Sequence, residues 1–284
     1  MNFSSKDIKE LRDKSGAGMM DCKKALDESN GNVEKAIEWL RKKGISTAQK
    51  KSTRSALDGL VTVNIKDNDG IMIEINSETD FVAKNEDFQK FCLDVSETCL
   101  NNKTIDLEST ISSKFIGSQQ TVQTHLTEII SKLGENIVIK KQKFFSDKNK
   151  FLQKYLHNSV SSYSGKIGVV LVFSSNENNN DVKEFSKNLC MHIAATDPKS
   201  INIEDLESSI IESEKSIYVE QLKKSNKPEH IIEKIVDGKI NKFYEEVCLL
   251  EQFFVMDNKL KIKDCIKNFN EKYDQNFKID DYVI

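Results

Sequence analysis

The run Ile71-Met72-Ile73-Glu74-Ile75 has the period of a strand, and soon afterwards Phe88, Phe91, Cys92 and Val95 recur at helical spacing. The chain must pass from one period to the other through Ser77-Glu78-Thr79-Asp80-Phe81-Val82-Ala83-Lys84-Asn85. That change confines the fold to strands and helices packed on one another. Most such connections hide their large apolar residues. This one places Phe81 and Val82 beside Asp80, where the chain must turn at the surface. Taken alone, the segment has a simple reading: Thr79 and Asp80 are helix-capping types, and Phe81 staples the helix start to the core. The other reading is an exposed aromatic beside a carboxylate, shaped to enter a partner.

The surrounding pattern gives the connection a frame. Leu60-Val61-Thr62-Val63-Asn64-Ile65 and Ile71 to Ile75 flank Asp67-Asn68-Asp69-Gly70, a hairpin signal. A helix carrying Leu126, Ile129, Ile130 and Leu133 ends at Gly134, and Ile137-Val138-Ile139 reads as a third strand. The second half repeats this order. Phe151 to Val160 is extended, Lys166 to Phe173 is a buried strand, and Val182, Phe185, Leu189, Met191 and Ile193 follow on a helix. The blocks Gly70–Val95 and Gly165–Ala194 share order and spacing but barely their residues. The expected fold class is α+β, built on a duplicated core subdomain.

The expected domains are a three-helix N-terminal module over 1–44, a linker over 45–56, and core subdomains over 57–143 and 144–284. In the module, Ser4 or Ser5 caps a first helix and Gly16-Ala17-Gly18 breaks it. A second helix runs from about Met19 to Leu26, and Asn30-Gly31-Asn32 turns. Val33, Ala36, Ile37 and Leu40 line a third, with Gly44 as its C-terminal cap and Trp39 in the core. Met19 and Met20 in tandem cannot both face one core, so one of them is a candidate contact. Lys50, Lys51 and Arg54 make the linker basic. Over about 203–250 two apolar-striped helices form an inserted antiparallel hairpin, joined by Asn226-Lys227-Pro228 with Pro228 in the first turn of the second. A helix over Lys261 to Phe269 and a strand over Phe277 to Val283 close the chain.

The excluded chemistries narrow the function. No GxxxxGK[ST] or GxGxxG occurs, so nucleotide phosphates have no cradle; no HExxH occurs. Cys190-Met191-His192 points its two ligand types to different helix faces, and no metal or cofactor is expected. His125, His157, His192 and His230 are dispersed. A net charge of -3 supplies no basic field for DNA. No apolar run approaches the ~20 residues of a membrane span. Six cysteines without a CxxC suit the reduced thiols of a cytoplasm. The residues describe a binding protein rather than an enzyme.

Leu11-Arg12 with Ser15-Gly16-Ala17-Gly18-Met19-Met20-Asp21-Cys22-Lys23-Lys24-Ala25-Leu26, and Glu78-Thr79-Asp80-Phe81-Val82-Ala83-Lys84-Asn85, resemble the two signatures of the bacterial elongation factor Ts family. Lys166-Ile167-Gly168-Val169, His192-Ile193-Ala194-Ala195 with Pro198, Ile232 to Val236 and Lys242-Phe243-Tyr244 are similar to its later segments, so the likeness runs nearly end to end. Phe253 departs from it, standing where a proline is expected, and the stretch from Asn158 to Ser164 is Ser-rich. The resemblance implies a UBA-like N-terminal module, a coiled-coil hairpin and guanine-nucleotide exchange on elongation factor Tu in its GDP-bound state. It implies that Thr79, Asp80, Phe81 and Val82 dislodge the partner's Mg²⁺, and that Arg12, Met19, Met20, Lys23 and His157 dock. The runner-up function is an RNA- or ribosome-associated protein using the three-helix module and the 45–56 linker; steep salt dependence is its mark. A small-molecule enzyme would need convergent polar groups in a deep apolar pocket.

Overall fold

The structure, a computed structural model, describes residues 3–223 and 228–284. The chain divides into two compact units, Met1–Ser146 with Asn158–Lys166, and Asp147–His157 with Ile167–Ile284. The stretch 144–284 is therefore not one contiguous subdomain: its residues 144–146 and 158–166 belong with the first unit.

Unit 1 opens with α1 (Ser5–Ser15), α2 (Met19–Glu28) and α3 (Val33–Lys51). Ser4 caps α1 in a reciprocal box with Asp7, and Asn32 caps α3 through the Lys35 N–H. Leu11, Cys22, Ala25, Leu26 and Ala36 form a small buried cluster, with Trp39 and Leu40 packed partly buried against it. Two expectations fail here. Gly44 is not a cap but a buried residue inside α3, its Cα facing Ser131 and Thr127. Residues 45–51 are helical rather than linker. Tertiary packing outweighs the helix-weakening glycine.

The sheet of unit 1 has the order β3-β2-β1-β5 and is antiparallel throughout, with β1 Asp58–Lys66, β2 Asp69–Ser77, β3 Val138–Ser146 and β5 Ser164–Gly165. The hairpin turns at Asp67-Asn68, where Asp67 takes φ 55°. The third strand is longer than Ile137–Ile139, running on to Ser146. The helices α4 (Asp80–Ala83), α5 (Glu86–Asn102), α6 (Leu107–Ser112) and α7 (Val122–Leu133) lie between β2 and β3 in the chain. Phe88, Phe91, Cys92, Val95 and Cys99 recur at i, i+3, i+4, i+7 and i+11 along α5, and all are buried in a core shared with Ile71, Ile73, Ile75 and Ile130.

Unit 2 holds a three-stranded antiparallel sheet, β4-β6-β9, formed by β4 Phe151–His157, β6 Ile167–Ser174 and β9 Lys278–Val283. The extended run expected to reach Val160 ends at His157, because Asn158 turns to φ 48°. From β6 the chain enters α8 (Asn180–Thr196), α9 (Ser208–Lys223) and α10 (Glu229–Val247), then the small hairpin β7 (Phe253–Phe254) and β8 (Asp257–Lys261), then α11 (Ile262–Tyr273). α9 packs on α10, with Lys239 donating to Gln221 and its ammonium 4.8 Å from the Tyr218 ring centre. Pro228 is the residue before α10 rather than part of its first turn. Asn226 and Lys227, expected in the joining turn, lie outside the described residues. The core joins Val169, Leu171, Phe173, Leu189, Ile193, Phe269 and Phe277, with the Phe185 and Phe269 rings stacked 4.2 Å apart.

Candidate functional site: the connection from β2 to α5

Asn85 starts α5 by accepting from the N–H groups of Asp87 and Phe88. Thr79 holds the corresponding position before α4 but makes no side-chain cap. Its hydroxyl instead donates to Glu135 Oε1 at 2.6 Å, and its N–H donates to Glu135 Oε2 at 3.0 Å. The neighbouring pair reverses the direction: the Asn136 N–H donates to Glu78 Oε1 at 2.6 Å. Arg54 approaches Glu78 Oε1 at 3.5 Å, and its carbonyl accepts from Asn136 Nδ2 at 2.7 Å. The Ser77 hydroxyl donates to the Thr79 carbonyl at 2.9 Å.

The α7–β3 turn can present Glu135 and Asn136 this way because Gly134 ends α7 at φ 79°, a backbone that L side chains adopt with strain. Downstream, Val82 (8% exposed) and Ala83 (0%) are anchored in the core. Phe81, between these two anchorages, is 80% exposed. Leu57 is exposed to a similar degree, but among the described residues Phe81 is the most exposed aromatic ring, and it sits on a backbone held at both sides. Asp80 pairs with Lys84 at 2.7 Å, and that carboxylate raises the Lys84 pKa, with Asp58 adding a smaller pull.

The expected site residues thus divide. Thr79 and Asp80 are partly exposed, Phe81 projects, and Val82 faces inward, so the segment is both stapled and exposed, with Val82 as the staple. Met19 (50% exposed) and Met20 (74%) both lie outside the N-terminal core, whereas only one was expected to. Arg12 is exposed and Lys23 half-buried, on the same small module. His157 belongs to unit 2, exposed at the end of β4 with Nδ1 3.1 Å from the Tyr155 hydroxyl. Glu135, Asn136, Glu78 and Arg54 escape a reading by motif. Glu78 lies inside the signature, but its partners are far away in sequence and carry no local signal.

Cys190 and His192 leave α8 on different sides, and both are buried. The Cys190 thiol meets the Gln153 carbonyl, and His192 Nε2 lies 2.9 Å from Gln252 Oε1. The Val255 N–H donates to His192 Nδ1 at 3.3 Å, which leaves the proton on Nε2. Burial lowers the His192 pKa against a smaller opposing effect of the Gln252 hydrogen bond. Among the described residues no group of three or more His, Cys, Asp or Glu is arranged to hold a metal ion, and no helix is long and apolar enough to cross a membrane.

Residues 78–283 match the family model described as Elongation factor TS. The chain is 41% identical over 283 residues to elongation factor Ts of Bartonella tribocorum, covering 100% of this chain and 92% of that one. It is 43% identical over 261 residues to that of Rhodospirillum centenum, covering 92% and 85%. It is 38% identical over 284 residues to that of Rickettsia felis, covering 100% and 91%. Sharing that level of identity over nearly its whole length, the chain belongs to the elongation factor Ts family and has a role in translation elongation.

Proposed function

We propose that the chain is a guanine-nucleotide exchange factor for elongation factor Tu. The observation that carries this reading is Phe81, 80% exposed on a backbone hydrogen-bonded on one side to Glu135 and buried on the other. A wedge needs exposed area already fixed in position, because each side chain or loop ordered on binding costs affinity. Phe supplies that area with only two side-chain torsions to fix.

In this mechanism Phe81 and Asp80 push between two helices of the GDP-bound partner and disturb the groups holding its Mg²⁺. The ion bridges and neutralises the phosphates, so its loss weakens GDP. Asp80 reaches a polar group of the partner by exchanging Lys84 for it. Val82 serves from within, by seating the segment. No bond is made or broken, so the chain is not an enzyme in the usual sense. Coupling is reciprocal: if the factor lowers GDP affinity, nucleotide lowers the affinity for the factor by the same ratio, and incoming GTP ejects it.

The N-terminal module adds affinity through Arg12, Met19, Met20 and Lys23, and His157 docks from unit 2. We read that module as UBA-like and the α9–α10 pair as a coiled-coil arm bearing on the partner. The test is release of fluorescent GDP from elongation factor Tu, timed against factor concentration. Acceleration that saturates is expected, with no nucleotide bound by the factor alone in calorimetry. Unchanged release, or micromolar GDP binding by the isolated chain, would overturn the reading.

A further inference from the structure

We infer that Glu135 is a positioning residue for exchange: it sets the direction in which Phe81 leaves unit 1. The inference rests on the exchange-factor reading above. Its observation is that Thr79, where a helix N-cap belongs, gives both its N–H (3.0 Å) and its hydroxyl (2.6 Å) to one carboxylate 56 residues away. A Thr in that place ordinarily turns its oxygen onto the first free N–H groups of the helix. α4 forgoes that bond. A helix of four residues is too short to persist by its own hydrogen bonds, so its orientation depends on what holds its ends. Charge-assisted hydrogen bonds are roughly twice as strong as neutral ones, which suits a carboxylate to this task.

Unit 2 contains an internal control. There the connection from β6 to α8 is tied to the α11–β9 turn: Gln275 Oε1 accepts from the Ser175 hydroxyl at 2.9 Å and from the Glu177 N–H at 3.2 Å. Gln275, like Glu135, follows a left-handed residue that ends the preceding helix, Asp274 at φ 50° and Gly134 at φ 79°. The tie belongs to the repeated architecture. In unit 1 its acceptor is a full charge, and it holds a segment bearing an exposed Phe. In unit 2 its acceptor is a neutral amide, and it holds Ser, Asn and Glu.

The test compares Glu135→Ala, Glu135→Gln and Gln275→Ala in full-length protein. It measures the maximal rate of GDP release from elongation factor Tu, the half-saturating factor concentration, and amide hydrogen exchange. Glu135→Ala is expected to lower the maximal rate at least about fivefold, to leave half-saturation within about twofold, and to speed Thr79 amide exchange about tenfold, since that amide loses its acceptor. Glu135→Gln keeps one acceptor oxygen and is expected to recover part of the rate. Gln275→Ala is expected to loosen the Glu177 amide and leave the rate within about twofold. A maximal rate for Glu135→Ala within twofold of the parent, or an equal loss in Gln275→Ala, overturns the inference. Should Glu135→Ala fail to fold, Glu135→Gln and Thr79→Val carry the same comparison. If the parent protein does not accelerate release, the exchange-factor reading falls by itself. Thr79 protection then decides Glu135, and protection unchanged by substitution overturns its role.

Discussion

The two units run one plan with different contents. Each has an antiparallel strand pair whose second strand leads on to a 17-residue helix, α5 or α8, and later a 12-residue helix, α7 or α11. In each, the strand after that helix pairs with the second strand of the first pair, and each pairing shifts register once, at Glu74/Ile75 and at Val172/Phe173. Between the paired helices, unit 1 inserts the short α6, and unit 2 inserts the longer α9, α10 and the β7–β8 hairpin. The sharper difference lies in the strand-to-helix connections. Both are tied to the turn between that 12-residue helix and the strand after it, yet one displays Phe81 and the other only polar residues. The scaffold therefore does not specify the activity. A fold supplies a held segment, and the residues placed on it decide what it meets.

The largest expected effect separates holding from displaying. Phe88, fully buried at the start of α5, should cost about 3–5 kcal/mol of stability when changed to Ala, read by denaturant unfolding. Loss below 1 kcal/mol would mean that the α5 face is not the keystone of unit 1. Phe81→Ala, seven residues earlier in the chain, should do the reverse: little change in melting temperature, and GDP release slowed at least about tenfold, or ~1.4 kcal/mol. A drop of several degrees with normal exchange per folded molecule would return Phe81 to the role of a core staple. Asp80→Ala should slow release as well, and its combination with Phe81→Ala should be less than additive because both sit on one segment.

A smaller effect is expected from Met19→Ala with Met20→Ala. Both side chains are exposed, so the pair should raise the half-saturating factor concentration about fivefold, ~1 kcal/mol, and leave the maximal rate intact. Collapse of the maximal rate at unchanged affinity would remove the docking role. The smallest effect is a pH difference between the units. His192 is buried with its pKa lowered from 6.5 by desolvation. Well above pH 6.5 both folded and unfolded forms carry it neutral, and its contribution is complete. As pH falls through that value the unfolded chain takes up the proton first, so stability is lost progressively down to the lower native pKa. Amide protection in α8 should therefore weaken more than in α5 between pH 7.5 and 5.5. Equal weakening in both helices would show that His192 is not the cause.

Local patterns in the chain carry much of this molecule. Apolar periods locate β2, α5, β6 and α8, Gly16 and Gly134 mark helix ends through their free backbone, and the stretch from Glu78 to Asn85 carries part of the resemblance to the family. Such features depend on residues within a turn or two of one another, where spacing alone sets which side chains share a face. What that stretch does not decide is which residue faces out. Phe81 and Val82 are adjacent and both apolar, and only packing against the unit 1 core buries one and leaves the other in water. Glu135 and Thr79 are 56 residues apart, as are no two members of any local motif, and their bond exists because the α7–β3 turn closes beside β2. Gly44 reads as a helix end until contact with α7 makes the helix worth continuing. Contacts between distant segments are made by the fold, after local preference has been satisfied or overruled, and they bury Val82 while Phe81 stays in water.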